Sequence, residues 1–444
     1  MPDSSSIIGP EIGAARGNED IMSAVERGRF NTRGVVAGPD QVDMNKVNLL
    51  HPELWRSQKC FEYFQWLRDN SPIHYTEDSP EGPFWSITRF DDIVAVDKDH
   101  ERFSSDSKYG GITVVDLNEG FKLPMFIAMD RPEHTKYRKA VQPVLDSESL
   151  KNFEHLIRKR TIETLDSLPI HEPFDWVDKV SVELTTMMLA TLFDFPQEER
   201  RKLSRWSDVA TGKYNKEICP GGEAQWQAEL TECLMKFMTL WQERGNRDEP
   251  GHDLLSALAH NAATKNMTPQ ELLGNLILLI VGGNDSTRNT MTGSVYAWNK
   301  YPKEFEKVKA DRSLVPNMAA EAIRWQTSLA YMRRTAVEDV EMHGKTIRKG
   351  DKVLMWYVSG NRDERAIERP NDFWIGRPNV RRHLSFGFGI HRCVGNRLAE
   401  MQMRILWEEI LNRFNFIEVL EEPERMPNSF VRGYKSLNVI LHPL

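Results

Sequence analysis

Between residues 386 and 395 the chain reads Phe-Gly-Phe-Gly-Ile-His-Arg-Cys-Val-Gly. Gly389 permits a tight turn that presents Cys393, and Gly395 allows a close approach of the backbone. With the chain's own frequencies, Phe, Gly, Cys and Gly at four such fixed positions arise by chance roughly 1.5 times in a million starts. Leu398, Met401 and Ile405 then follow at helical spacing, so Cys393 is expected to open a helix. Free amides and the dipole at such a helix start favour thiolate over thiol. An isolated cysteine is usually one more small buried hydrophobe, but the glycine-bracketed segment argues for a presented ligand.

Composition narrows the remaining classes. Lys and Arg total 58 against 65 Asp and Glu, a formal net charge of −7. That balance argues against a nucleic-acid partner, because phosphates require a basic face. With 40% hydrophobic and 28% charged residues, the chain is neither disordered nor fibrous in make-up. Cys60, Cys219, Cys233 and Cys393 are too few for a disulfide framework and point to a reducing compartment. The N-terminus lacks the basic-then-apolar order of a signal peptide. No run reaches the roughly 18 apolar residues that would span a bilayer. A cytoplasmic location without a membrane span is the expectation.

No internal repeat or long linker divides the chain. Residues 1–45 read as a loosely structured leader and residues 46–444 as a single domain. Helical patterning dominates from Pro52 onward, for example after Ser149, where Leu150, Phe153, Ile157 and Leu165 recur. Val340–Gly344 and Thr346–Gly350 read as a hairpin, followed by a strand over Val353–Trp356. The expected fold class is mainly α with small β-sheets (α+β). Thr268-Pro269-Gln270-Glu271 joins a capping box to a first-turn proline. The helix it starts is apolar on nearly every side and belongs at the centre of the molecule. Within it, Gly282-Gly283 and Asp285-Ser286-Thr287 break the apolar pattern, as functional sites tend to do. Two further pairs share helix faces: Glu321 with Arg324, and His134 with Arg138 after a helix start at Asp130–Glu133.

Together these segments resemble the cytochromes P450, over most of the chain. The resemblance implies the P450 fold, with haem b held between the long central helix and the Cys-bearing loop. By that resemblance Cys393 is the axial iron ligand, and Phe386, Gly387 and Gly395 lie against the haem. His134, Arg138, Arg334 and His391 match the family's propionate contacts. Asp285 and Ser286, followed by Thr287, match its acid–alcohol pair, which relays protons towards iron-bound dioxygen. Most members carry Thr where this chain has Ser286, which loses the methyl that fixes the rotamer. Glu321 and Arg324 match a structural lock closed by a third residue, with Arg369, Asn371 and Asp372 all nearby.

O2 is then the co-substrate, with NAD(P)H electrons arriving through a 2Fe-2S ferredoxin and its reductase. Arg377, Arg381, Arg382, Arg392, Arg397 and Arg404 surround the Cys segment against only Glu400, a basic face suited to an acidic donor. LIVGGNDSTRNTMTG, YMRRTAVEDVEMHG and FGFGIHRCVGNRLAEMQMRILWEEIL are most similar to the bacterial branch that hydroxylates the terminal carbon of medium-chain alkanes and fatty acids. Pocket residues implied by resemblance are the loop from Gly110 to Met125, then Ile280, Gly283, Ser286, Leu329, Ala330, Tyr331, Phe430 and Val431. A sterol side-chain hydroxylase or a peroxide-driven hydroxylase would share the Cys loop. So would a haem-thiolate gas sensor or carrier, which needs neither the relay nor the basic face.

Overall fold

A 32-residue segment that is apolar all round has to lie inside, and Pro269–Lys300 does. In this computed structural model, which describes residues 38–116, 123–213 and 215–444, it is the central helix. Its start is the expected capping box: Glu271 donates its amide N–H to Thr268 Oγ1 at 3.3 Å, and Thr268 N–H donates to Glu271 Oε2 at 2.8 Å. Helices Glu183–Leu192, Arg201–Thr211 and Gly222–Gly245 pack against it. Val315–Gln326 and Asn396–Leu411 pack against it too. There Trp298, Phe305, Phe373 and Trp407 form a buried aromatic knot, with successive ring centroids 5.1–5.5 Å apart.

The larger sheet has five strands in the order Ile73–Thr76, Phe84–Ile87, Lys352–Met355, Met332–Ala336 and Phe103–Ser104. Only Phe84–Ile87 and Lys352–Met355 run parallel. Val340–Met342 and Lys345–Ile347 form the expected hairpin, in register Val340↔Ile347. His343 and Gly344, both at positive φ, make its turn. The fold class is the expected one: helical, with small sheets at the periphery.

Residues 1–37 of the expected leader lie outside those described, and Met44, at its end, is buried with Val47, Leu54 and Trp55. Two expected helix starts move. The helix expected after Ser149 starts at Ser147, where Asp146 Oδ1 accepts from the Glu148 and Ser149 amides at 3.1 and 2.9 Å. The helix expected to open at Cys393 begins at Asn396. Cys393 instead spends its N–H on Phe386 O at 2.8 Å, which closes the loop back on itself.

Candidate functional site

The Cys loop is shaped by two left-handed glycines. Gly387 and Gly389 have φ of +63° and +65°, and a Cβ at Gly389 would sit 2.4 Å from Asp97 O. The short turn Gly389–His391 follows and leaves Cys393 exposed, while the other three cysteines are buried. Surrounding protein pushes the Cys393 thiol above its ordinary range. The Gly395 N–H and the Arg138 and Arg392 guanidiniums pull it back down. A Cβ on Gly395 would meet nothing within 4 Å.

Midway along the central helix a short stretch stays accessible. Gly282 is exposed and Gly283 and Ser286 are half-buried, although Asn284, Asp285 and Thr287 are buried. These three accessible positions fall at i, i+1 and i+4, one helix face. A Cβ on Gly282 would also meet nothing within 4 Å. Ser286 donates its hydroxyl to Gly282 O at 3.2 Å.

Asp285 points away from that face. Its Oδ1 accepts from Ser207 Oγ at 3.1 Å and Asn284 Nδ2 at 3.0 Å, and Arg288 Nη2 lies 3.0 Å away. Burial pushes its carboxyl up and Arg288 opposes the rise. Arg288 also donates to Asp208 Oδ1 at 2.6 Å. Burial disfavours its charge, but the two carboxylates outweigh that and raise its pKa. Thr287, expected beside the relay, is 5% exposed and a helix step away from Ser286, so it does not share the accessible face.

His134, Arg138, Arg334 and His391 come together from three elements. His134 and Arg138 lie on the helix Glu133–Val141, Arg334 on the strand Met332–Ala336 and His391 on the Cys loop. The two imidazoles stand 4.3 Å apart. Arg334 Nη2 donates to Asp97 Oδ1 at 2.7 Å, and Asp97 Oδ2 accepts from the Phe388 amide at 2.7 Å. Arg138 Nη2 donates to Arg392 O at 2.5 Å. Desolvation, then the charges of Arg138, Arg131 and Arg334, lower His134 to about 4. Burial and the same kind of crowding push His391 down further. Both ring nitrogens of His134 and Nδ1 of His391 are buried without a partner.

Two guanidiniums beside two neutral imidazoles whose ring nitrogens are unpartnered among the described residues fit a ligand that carries two negative charges. A flat group would meet no crowding at Gly282 or Gly395, and exposed Cys393 is accessible to it. The residues present therefore fit haem: Cys393 would take the metal and the four basic side chains the propionates.

Behind the loop, Glu321 and Arg324 are both 0% exposed and share a bidentate pair, with both bonds at 2.8 Å. The third partner, left open among Arg369, Asn371 and Asp372, is Arg377. It donates Nε and Nη2 to Glu321 at 3.0 and 3.1 Å. Asp372 contributes only its carbonyl, to Arg324 Nη2 at 2.8 Å, and Pro370 O accepts from Nη1 at 2.7 Å. Asn361 carries the lock to the Cys loop. Its carbonyl O accepts from Arg324 and its Oδ1 accepts the Leu384 N–H at 2.6 Å.

The expected basic face is correspondingly smaller. Arg377 is spent on the lock, and Arg404 pairs with Glu154 and Glu408 at 2.7 and 2.9 Å. Arg381 pairs with Glu400 at 3.1 Å, and Arg382 lies 3.8 Å from Asp91. Arg392 and Arg397 stay exposed, with no carboxylate at ion-pair distance among the described residues. Of the pocket residues, Ile280 and Ala330 are 0% exposed and closed to a ligand by core packing. Half-buried Gly283, Leu329 and Phe430 remain accessible, and Leu329 bridges to Val431. Residues 117–122 of the loop from Gly110 to Met125 lie outside those described. Asp97, Asp208 and Arg288 carried no signal in the sequence, since their partners are distant or their residue types ordinary.

Comparison with known proteins agrees with this geometry. The family profile described as Cytochrome P450 matches residues 46–441. The chain is 33% identical to linalool 8-monooxygenase of Pseudomonas putida over 90% of its own length and 100% of the relative's. It is 44% identical to the solved structure of cytochrome P450-153 from Novosphingobium aromaticivorans, with a TM-score of 0.83, covering 89% of this chain and 99% of that one. It is 46% identical to CYP153D17 from Sphingomonas sp. PAMC 26605, with a TM-score of 0.82, over 88% and 98%. The chain belongs to the cytochrome P450 family and is a monooxygenase. Its cofactor is haem b and its oxidant O2, with electrons from NAD(P)H delivered through redox partners. No helix among the described residues is long and apolar enough to cross a membrane.

Proposed function

We propose that this P450 hydroxylates the terminal carbon of medium-chain alkanes or fatty acids, with electrons from a 2Fe-2S ferredoxin and its reductase. Bound haem would supply the oxygen-activating chemistry, the cysteinate ligand favouring O–O cleavage. Cys393 would hold its iron, and His134, Arg138, Arg334 and His391 would take its propionates. Asp285, in contact with Ser207, Asn284 and Arg288, takes protons from the outer side, and Ser286 presents its hydroxyl on the accessible helix face. The exposed pair Arg392 and Arg397, beside Cys393, is the contact offered to an acidic donor. Leu329, Phe430 and Val431 form an apolar wall suited to an aliphatic chain.

The observation that carries this proposal is the shared helix face of Gly282, Gly283 and Ser286, together with the exposed Cys393. The likeness of the long strings around them to the terminal-hydroxylating branch supports the substrate class. Purified protein, reduced under CO, should show a thiolate-type Soret band, and with a surrogate ferredoxin and reductase should convert decane or dodecanoic acid to the terminal alcohol. Correctly loaded protein that oxidises neither chain would overturn the assignment. An acyclic terpene alcohol is the second reading, favoured by the full-length match to linalool 8-monooxygenase; linalool in the same assay decides between them.

A further inference from the structure

Two buried guanidiniums outside the Cys loop meet no acid among the described residues. Arg362 and Arg432 are each 6% exposed. Among the described residues their bonds go to neutral acceptors only. Arg362 Nη2 donates to Trp325 O at 2.9 Å and Arg432 Nη2 to Gln58 Oε1 at 3.1 Å, while Arg432 Nη1 donates to Gln326 O. Both guanidiniums cap the Phe61 ring, at 4.0 and 4.9 Å. Arg362 Nη1 and Arg432 Nε are buried without any partner.

The charged and titratable neighbours do not neutralise them. Arg68 and Arg324 pair with Glu364 and Glu321, Arg425 lies over the Tyr296 and Tyr434 rings, and Cys60 is a thiol that burial pushes up to about 11. Burial lowers both arginines, as expected of cations that lack a counter-charge.

Beside Arg432 lies a small recess lined by Trp55, Gln58, Gln326, Arg425, Asn428 and Arg432, with Met426 and Gly433. Among the described residues no carboxylate lines it. Asn428 spends its Oδ1 on the Phe430 and Val431 amides at 2.7 and 3.3 Å, which leaves its NH2 as a donor. Gln58, at a φ of +60°, is held in the left-handed region while its side chain meets Arg432, the kind of strain that ligand clamps retain. The free space between these side chains is about that of one water molecule, which excludes polyatomic anions and leaves room for a single small species.

We propose that this recess is a binding site for one halide ion, contacted by Arg432, Arg425 and the Asn428 amide, with Arg362 adding to the field. The ion supplies the missing counter-charge. It also fastens the turn 426–433 to the segment 326–330, where Arg432 N–H donates to Ser328 O at 2.7 Å and Ala330 N–H to Phe430 O at 2.8 Å.

The test compares full-length, haem-loaded protein in sodium chloride and in sodium gluconate at equal ionic strength. Chloride should raise the unfolding midpoint saturably, by on the order of a few degrees, and the dependence should vanish in Arg432→Met. Crystals grown in sodium bromide should show an anomalous peak against the Arg432 guanidinium, a readout that stands even if the variant fails to fold. Equal midpoints in the two salts, an unchanged chloride dependence in Arg432→Met, or bromide found only elsewhere would each overturn the site.

Discussion

Ser286 and Asp285 are neighbours in the chain that face different surroundings. Ser286 is half-buried on the accessible helix face, while Asp285 is 3% exposed among Ser207, Asn284 and Arg288. A serine hydroxyl rotates more freely than a threonine's, because the second Cβ substituent restricts χ1. Ser286→Thr is therefore expected to raise the fraction of NADH electrons recovered in product, and Ser286→Ala to lower it. Product and hydrogen peroxide measured against NADH consumed check both. Asp285→Asn keeps the shape and removes the titrating group. Turnover should fall by about 10²-fold or more while haem loading stays unchanged, as read by absorbance and steady-state rates. Cys393→His should replace the thiolate-type spectrum of the reduced CO complex with that of a nitrogen ligand; an unaltered spectrum would remove Cys393 from the proposal.

At the scale of elements, the lock between helix Val315–Gln326 and the segment before the Cys loop sets two guanidiniums on one carboxylate, all nearly inaccessible. Removing the shared anion leaves both cations uncompensated, which costs about 3–5 kcal/mol. Glu321→Gln should lower stability by that order and weaken haem retention, because Asn361 transmits the lock to Leu384. Adding Arg377→Met should recover part of the loss. Urea midpoints of the single and double variants measure both steps. The same lock shows what a sequence can disclose. Glu321 and Arg324 are three residues apart, so their pairing follows from helix geometry. Arg377 lies 56 residues from Glu321, and only the folded meander makes it a partner. The Cys loop and the capping box at Thr268 were legible because their constraints are local: left-handed glycines, a first-turn proline, a reciprocal cap. Asp97, 237 residues from Arg334, had no such signature. Ile280 and Ala330 looked like pocket residues by position, but neighbouring side chains close over them.

For the whole molecule, acid should separate the haem-free from the haem-loaded protein. His134 is lowered from 6.5 to about 4 in the folded chain, by burial first and then by Arg138, Arg131 and Arg334. His383 is lowered to about 3, again by burial first, and then by Arg324, Arg392 and Arg381. Above pH 6.5 both residues are neutral folded or unfolded and stability does not depend on them. As pH falls below 6.5 the unfolded chain takes up protons that the folded chain refuses, so folded stability declines until the folded values near 4 and 3 are passed. At pH 5.5 the fully enclosed His383 removes about 1.4 kcal/mol, and His134, nearer solvent, less than that. If haem propionates sit against His134, their negative charge raises its folded pKa and removes its share of the decline, while His383 keeps its own. Between pH 7.5 and pH 5.5 the haem-free protein should therefore lose more stability than the loaded protein; His134→Gln should shrink the difference, and the part that His391 carries should remain. Denaturant midpoints at the two pH values, with and without haem, measure it directly. Equal losses in both forms would remove His134 from the propionate contacts while leaving the Cys393 assignment standing.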